Sequence, residues 1–269
     1  MQSTEESDAK SAVTIFARWG YAARGMVYVL VGGLAALAVI GQGGETTDSR
    51  GALQSLLTAP LGRALLAVIA VGLVGYALWR GIQAIKDTDD HGISAKGLAI
   101  RGGLLVSAAT HLLLAGFAGS LATSLGRSSS GSGSGSEGLA TWLLNQPAGR
   151  WLVAAVGVAI IGAGIAHLIK GWKTKFHAHF DMPAIIQPWA YPVCQFGLAV
   201  RGVVFLMIGT FFLTAAYQVN PDEAGGLAEV FRTLQDQSFG PWLIGFAALG
   251  LFSFGLYSLL EAIFRRVNV

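Results

Sequence analysis

Three arginines draw attention because each lies between glycines at the start of a long apolar run. The motif is GYAARG at 20–25, GLAIRG at 97–102 and GLAVRG at 197–202. Its arginines are Arg24, Arg101 and Arg201, at spacings of 77 and 100 residues. A guanidinium is a permanent cation with a rigid fork of N–H donors that matches phosphate and carboxylate oxygens. The three arginines are therefore candidate lipid- or anion-binding residues.

The position of these arginines relative to the membrane leaves two interpretations open. After Arg24 and Arg201 the apolar runs last only 17 and 16 residues, whereas crossing ~30 Å of hydrocarbon takes ~20. Residues upstream of each arginine must therefore help to span, which draws the arginine to the membrane boundary. Each guanidinium can snorkel to lipid phosphate and reinforce topology. Alternatively, the three converge near one axis and bind an anion or a lipid headgroup, or line a pore.

Three further ionisable residues fall within apolar runs. His111 lies ten residues past Arg101, about 15 Å further along a helix; it is either a proton-relay or ligand residue, or a neutral imidazole that bonds a neighbouring helix. His167 lies nearer the other end of its run. Glu261 aligns with Arg80 and Lys170 when the repeats are superimposed, and we expect it to pair with Arg201; otherwise it faces the cytoplasm.

A loop motif, HAHFD at 177–181, is the one candidate for a metal site. His177, His179 and Asp181 alternate along the chain, so an extended conformation would place them on one face, where they could bind a transition metal. The stretch lacks a clear fourth ligand, and an interfacial loop with titratable histidines explains it as well. We therefore predict no metal.

Other catalytic signatures are missing from the sequence. It contains no phosphate-binding glycine loop with its lysine, no HExxH, no CxxC and no intramembrane carboxylate pair. Its lone Cys194 excludes an internal disulfide. A formal charge of only +3 gives no sign of nucleic-acid binding. We therefore expect a non-enzyme without a cofactor.

The elements that carry these residues are long apolar helices. Hydrophobic residues make up 53% of the chain and charged residues 12%, about half the charged share of soluble domains. Six runs approach the ~20 residues that cross a bilayer. They cover residues 21–40, 64–85, 99–122, 151–170, 196–217 and 242–264. We predict an all-α integral membrane protein with six transmembrane helices.

Basic residues in the flanks predict the orientation of these helices. Of 18 Lys and Arg residues, thirteen fall on one side: Lys10, Arg18, Arg24, Arg80, Lys86, Lys96, Arg101, Lys170, Lys173, Lys175, Arg201, Arg265 and Arg266. The other side has Arg50, Arg63, Arg127, Arg150 and Arg232. The positive-inside rule then places both termini in the cytoplasm. All seven Trp residues lie near predicted helix ends, as membrane interfaces favour.

The chain also repeats a two-helix unit three times. Between copies of the arginine motif, GALQSLLTAPLGR (51–63) resembles GLATWLLNQPAGR (138–150), and GLAEVFRTLQDQSFGPW (226–242) is a longer version. In the last, Leu227, Val230, Phe231 and Leu234 follow the stripe of an amphipathic helix. We predict parallel repeats with pseudo-threefold symmetry and short external interfacial helices. The boundaries are a polar cytoplasmic tail (1–14), repeat 1 (15–90), repeat 2 (91–181, with a Gly/Ser-rich external loop at 127–138) and repeat 3 (182–269).

The three arginine motifs, GYALWRG at 75–81 and the triplication resemble bacterial membrane proteins of domain-of-unknown-function family 1206. The resemblance covers residues 15 to 264 and implies three tandem two-helix repeats in a bacterial cytoplasmic (inner) membrane. It carries no established activity. From the residues we expect a scaffold or a subunit that binds another membrane protein or lipids, with anionic headgroups at the cytoplasmic face. The alternative is a small channel or transporter along the pseudo-threefold axis.

Overall fold

The computed structural model describes residues 2–123, 135–173 and 180–267, and almost all of its regular structure is helical. The six long helices are α1 (Gln2–Val39), α3 (Gly62–Lys86), α4 (Ala95–Ala122), α6 (Gly149–Trp172), α7 (Gln187–Gln218) and α9 (Gly240–Phe264). Each is long and apolar enough to cross a membrane, α1 from Ser11 onward. The predicted set of six transmembrane helices is confirmed.

Two of these helices begin well before their apolar runs. α1 starts at Gln2, and the stretch predicted as a polar tail continues it because residues 2–19 contain neither Gly nor Pro. α7 starts at Gln187, with Pro188 in its first turn, where a missing N–H costs nothing. Residues upstream of Arg24 and Arg201 therefore extend both membrane helices, as their short apolar runs require.

A short helix lies in each connection between the two long helices of a repeat. These are α2 (Ser49–Ser55), α5 (Gly135–Leu144) and α8 (Leu227–Gln235), and 3₁₀ turns cover Leu56–Thr58 and Pro221–Glu223. In α8 the side chains of Val230 and Phe231 are buried. Leu227 and Leu234 pack against the same core. The predicted amphipathic stripe is confirmed.

Each returning helix begins with a glycine that packs over the end of the short helix before it. Gly62, Gly149 and Gly240 face the carbonyl groups of Leu56, Leu143 and Gln235, respectively. A side chain at any of the three positions would overlap those carbonyls. The same tight connection is thus built three times, which is direct structural evidence of the repeat.

The long helices pack as an open row rather than a closed bundle. The extended contacts join α4 to α3, α3 to α1, α1 to α9, α9 to α7 and α7 to α6. Among the described residues no contact of similar extent joins α4 to α6. These two end helices are accordingly the least covered, with 11% and 17% of their membrane windows buried against 39–50% for the other four.

The turn between α3 and α4 depends on one carboxylate, and this makes it sensitive to pH. Asp87 accepts hydrogen bonds from the backbone N–H groups of His91 (2.9 Å) and Gly92 (2.7 Å), which lower the pKa of Asp87. A carboxyl group whose pKa is lower in the folded state stabilises that state at pH values above its unfolded pKa of about 3.9. It loses this effect as the pH falls through the folded pKa.

We expect residues 87–94 to exchange backbone hydrogens several-fold faster in Asp87→Asn at pH 7. Asp90→Asn, in the same turn, is the control and should exchange at the wild-type rate.

Candidate functional site

The first glycine of the arginine motif brings together the two helices of one repeat. A Cβ on Gly20 would lie 2.5 Å from Cα of Tyr76 on α3, and one on Gly197 would lie 2.7 Å from Cα of Phe254 on α9. Carbon atoms that are not bonded pack at ~3.5–4.0 Å. Only glycine therefore allows these helices to approach so closely at the arginines.

The second glycine of the motif joins neighbouring repeats. A Cβ on Gly25 of α1 would lie 2.9 Å from the carbonyl oxygen of Gly255 on α9. A Cβ on Gly202 of α7 would lie 2.9 Å from the carbonyl oxygen of Gly164 on α6. Small residues facing each other in this way are typical of membrane helix contacts.

The middle copy of the motif, on α4, is used differently. Gly97 faces the carbonyls of His91 and Gly92 in the preceding turn, and a Cβ on Gly102 would meet no atom within 4 Å. Arg101 donates to the carbonyl oxygens of Ala84 (2.6 Å) and Ile85 (3.1 Å) at the end of α3. It caps α3 and does not join Arg24 and Arg201.

Arg24 is the centre of a buried network that ties α1 to α3 and α9. It is 5% exposed, and its Nη2 lies 2.5 Å from Oε2 of Glu261. Its Nε and Nη2 donate to Oγ of Ser258 at 3.1 and 2.8 Å, and its Nη1 donates to the Tyr76 hydroxyl. All three nitrogens therefore have acceptors and the charge has a counterion, which a buried cation requires.

Glu261 pairs with Arg24 and Arg265, so the predicted Arg201–Glu261 pair is wrong. Oε1 of Glu261 accepts from Nη1 of Arg265 at 2.6 Å and from the hydroxyl of Tyr257 at 2.8 Å. The prediction assumed pairing inside one repeat. The glycine contact between α1 and α9 instead brings Glu261 against the arginine of another repeat.

The network continues along α3 and into the turn that follows it. Arg80 donates from Nε to the Tyr76 hydroxyl (2.7 Å) and from Nη1 to Oε1 of Gln83 (3.0 Å). Nε2 of Gln83 donates to Oδ2 of Asp89 at 2.9 Å. Nη2 of Arg265 lies 3.7 Å from the same oxygen. The end of α9 is thereby tied to the turn after α3.

Lys170 of α6 joins the network through Tyr257, donating from Nζ to its hydroxyl at 2.7 Å. Arg80, Lys170 and Glu261, which the repeat alignment places at equivalent positions, thus belong to one assembly. We call it the polar cluster. Its members are Arg24, Tyr76, Arg80, Gln83, Asp89, Lys170, Tyr257, Ser258, Glu261 and Arg265.

Arg201 lies beside the polar cluster in an aromatic environment. Its Cζ is 4.2 Å from the ring centroid of Phe254, 4.5 Å from that of Tyr28 and 4.7 Å from that of Phe205. The Phe254 ring also lies 5.1 Å from Cζ of Arg24. The two arginines therefore share one aromatic neighbour, and the structure brings together two of the three predicted anion-binding residues.

His111 and His167 flank this centre from α4 and α6. The His111 ring packs 4.6 Å from Tyr76, and the His167 ring lies 5.4 Å from Phe205. Each Nδ1 lies 2.8 Å from a backbone carbonyl one turn earlier in its own helix, that of Ser107 or Ala163. Nδ1 must carry the proton in such a bond, so each bond selects one tautomer. Both histidines thus bond within their own helix.

Only Phe180 and Asp181 of the HAHFD motif lie among the described residues. His177 and His179 lie outside the described residues, as does most of the Gly/Ser-rich loop. Asp181 is exposed, donates its N–H to the Phe264 carbonyl (2.8 Å), and has Oδ1 3.7 Å from Nη2 of Arg266. In the described ranges no group of three potential metal ligands comes together.

Sequence reasoning missed the hydroxyl groups that hold the polar cluster together. Tyr76 and Tyr257 lie inside apolar runs, and the motif that contains Tyr76, GYALWRG at 75–81, was used only for the family resemblance. A signal was present, because each tyrosine precedes a charged residue, Arg80 or Glu261, by four positions and thus shares a helix face with it. Arg265 was counted only as a topology signal.

Comparison with known proteins identifies the repeat. The family model described as Domain of Unknown Function (DUF1206) matches residues 19–87, 102–174 and 196–265. The chain is similar to a protein of Bacillus subtilis (strain 168) described as Uncharacterized protein YxxB, with 33% identity over 269 residues, which cover 98% of this chain and 95% of the relative. No solved structure matches the chain. Each matched segment covers the second long helix of one repeat and part of the first.

Proposed function

The chain belongs to the DUF1206 family, and from that premise we propose that it is a non-enzymatic membrane scaffold that binds acidic lipid headgroups. We place it in a bacterial cytoplasmic membrane with both termini in the cytoplasm. The Bacillus relative supports the bacterial setting. The excess of basic residues on the side of the termini supports the orientation.

We further propose that the three repeats stand parallel around a pseudo-threefold axis. Each repeat packs its second helix on the first helix of the next: α3 on α4, α6 on α7 and α9 on α1. Within repeats 1 and 3 the two helices also pack together, whereas α4 and α6 leave repeat 2 open. The short helices α2 and α5 and the amphipathic α8 would then lie at the outer membrane surface.

The observation that carries the lipid-binding proposal is an uncompensated positive charge. The polar cluster and Arg201 together contain five cationic side chains and two carboxylates, an excess of three positive charges. A charge inside a membrane protein is costly unless an opposite charge is near. Acidic lipids are the abundant anions at the cytoplasmic leaflet, and they attract clustered Lys and Arg.

The arrangement of the polar cluster supports a structural role over a catalytic one. Its carboxylate and hydroxyl groups are bonded to side chains on other helices, so they hold α1, α3, α6 and α9 together. The transport alternative gains no such support, because aromatic rings and two guanidiniums pack against each other where the repeats meet.

We expect the reconstituted protein to select acidic lipid. Spin-labelled phosphatidylglycerol should show a larger motionally restricted fraction than spin-labelled phosphatidylcholine, and raising the ionic strength should reduce only the electrostatic part of this difference. Electron spin resonance on vesicles with each label measures the two fractions. Equal fractions for both labels at low salt would refute lipid binding, and protein-dependent anion flux would favour the transport alternative.

A further inference from the structure

We propose that Arg201 anchors a specific anion-binding site within the helix row, and that its ligand is a phosphate group, carried by an acidic lipid or free in solution. This inference rests on the proposed function and deepens it. The inference specifies one residue, Arg201, and one chemical group, phosphate. The proposed function requires only that the excess positive charge attracts acidic lipids.

Arg201 is a buried cation whose hydrogen-bonding capacity is largely unused. The residue is 8% exposed, and its Nε and Nη1 are fully buried without a hydrogen-bond partner. Its polar contact is with the Tyr28 side chain. No carboxylate oxygen of the described residues comes within 4.0 Å of its nitrogens. Two buried donors and a full charge thus lack an anionic partner.

The aromatic rings around Arg201 attract its positive charge but provide no strong hydrogen-bond acceptor for its N–H groups. The rings of Phe254, Tyr28 and Phe205, at 4.2 to 4.7 Å, attract the guanidinium through their faces. A ring face accepts no conventional N–H hydrogen bond of full strength. A phosphate oxygen accepts a charge-assisted N–H hydrogen bond from a guanidinium at full strength. Phosphate therefore supplies what the rings lack.

The other two motif arginines have hydrogen-bond acceptors, so the unpartnered donors of Arg201 are a feature of one copy of the motif. Arg24 has the same burial but bonds Glu261, Ser258 and Tyr76. Arg101 donates to two backbone carbonyls. A shared sequence motif has therefore produced one neutralised arginine, one helix-capping arginine and one arginine with free donors.

The site lies towards the open side of the helix row. His167, on α6, packs against Phe205 (5.4 Å) and Phe254 (6.3 Å), two of the rings around Arg201, and is itself half-buried. α6 is an end helix without an extended contact to α4. The proposed route for a ligand is therefore from the bilayer beside α6, and it requires the side chains around Arg201 to move aside, because its free nitrogens are buried.

The test compares two phosphate probes on the full chain in a neutral detergent. Dihexanoyl phosphatidylglycerol and inorganic phosphate are titrated separately, with dihexanoyl phosphatidylcholine as the headgroup control, and native mass spectrometry gives the dissociation constants. We expect Arg201→Gln to weaken the binding of at least one anionic probe by about tenfold or more, the loss of a charge-assisted hydrogen bond. Arg266→Gln, which removes an exposed cation near the C-terminus, should change it by less than about twofold.

The two probes distinguish the sources of the phosphate. Binding of phosphatidylglycerol alone supports a lipid headgroup, and comparable binding of inorganic phosphate supports a free anion. If Arg201→Gln binds both probes as tightly as the wild type, or if the wild type prefers neither over phosphatidylcholine, the site does not exist.

Folding of the variant is not expected to confound the result. No carboxylate loses a partner when Arg201 is replaced, so Arg201→Gln should unfold near the wild-type midpoint without ligand. Arg201→Lys, which keeps the charge but loses the fork, should bind with intermediate affinity. Spin-label selectivity measured on the same Arg201→Gln sample separates the proposals. Retained selectivity with unchanged probe binding refutes only this inference, whereas the absence of both selectivity and probe binding in the wild type refutes both.

Discussion

Replacing Glu261 with glutamine lowers the free energy of unfolding by about 3–5 kcal/mol, the usual cost of removing one partner from a buried ion pair. Glutamine keeps the size of the side chain and one acceptor oxygen, so the change removes mainly charge. Arg24 (5% exposed) and Arg265 (7% exposed) would remain buried without their shared counterion. Denaturation by increasing mole fraction of SDS measures the free energy.

The matched control is Glu229→Gln on α8. Its carboxylate lies 2.9 Å from Nη1 of Arg232, but the Arg232 side chain is 72% exposed, and such pairs contribute at most about 1 kcal/mol. The double variant Arg24→Gln/Glu261→Gln should cost less than the sum of the single variants, because the two residues interact directly. Equal losses for Glu261→Gln and Glu229→Gln, or strict additivity in the double variant, would show that the buried pair does not hold the helices.

The second large effect concerns the motif glycines, where replacement by alanine should have opposite consequences at the first glycine of the third copy and the second glycine of the middle copy. Gly197→Ala places a Cβ 2.7 Å from the Phe254 Cα, so α7 and α9 must separate. We expect a loss of about 1–3 kcal/mol, which is typical of overpacking. The SDS titration described above measures it.

Gly102→Ala is the control from the middle copy. A Cβ there meets no atom within 4 Å, and alanine favours helix over glycine by about 0.5–1 kcal/mol. The variant should therefore be as stable as the wild type or more so. If both substitutions destabilise to the same extent, Gly102 is packed against another helix and its open environment is incorrect.

The helices and the repeat were predictable because they depend on local information. The length of an apolar run determines whether a helix can span the bilayer. The repeated glycines and arginines can be recognised in the sequence without knowledge of the fold. The N-terminal bounds of α1 and α7 were harder to predict, because hydropathy identifies only the apolar part of a helix. A polar or proline-containing stretch before that part can still be helical.

The partners of the arginines were not predictable, because they depend on which helices become neighbours. Arg24, Arg101 and Arg201 lie in similar motifs, but their neighbours in the structure are a carboxylate, two carbonyls and a set of aromatic rings, respectively. The difference arises from the contact of α1 with α9 and from the open side of repeat 2. Ser258 and Tyr257 acquire their roles only through that packing.

The proposed parallel arrangement of the three repeats would place the three motif arginines at one membrane face, and labelling of single cysteines tests it most directly. In a Cys194→Ala background, cysteines replace exposed residues in five connections: Glu45, Asn145 and Ser238 on one side, and Asp90 and Asp181 on the other. In intact right-side-out vesicles, an impermeant maleimide should label the first three and reach the other two only after permeabilisation. Labelling of any one site from the opposite side would contradict parallel repeats and, with them, the shared cytoplasmic position of the arginines.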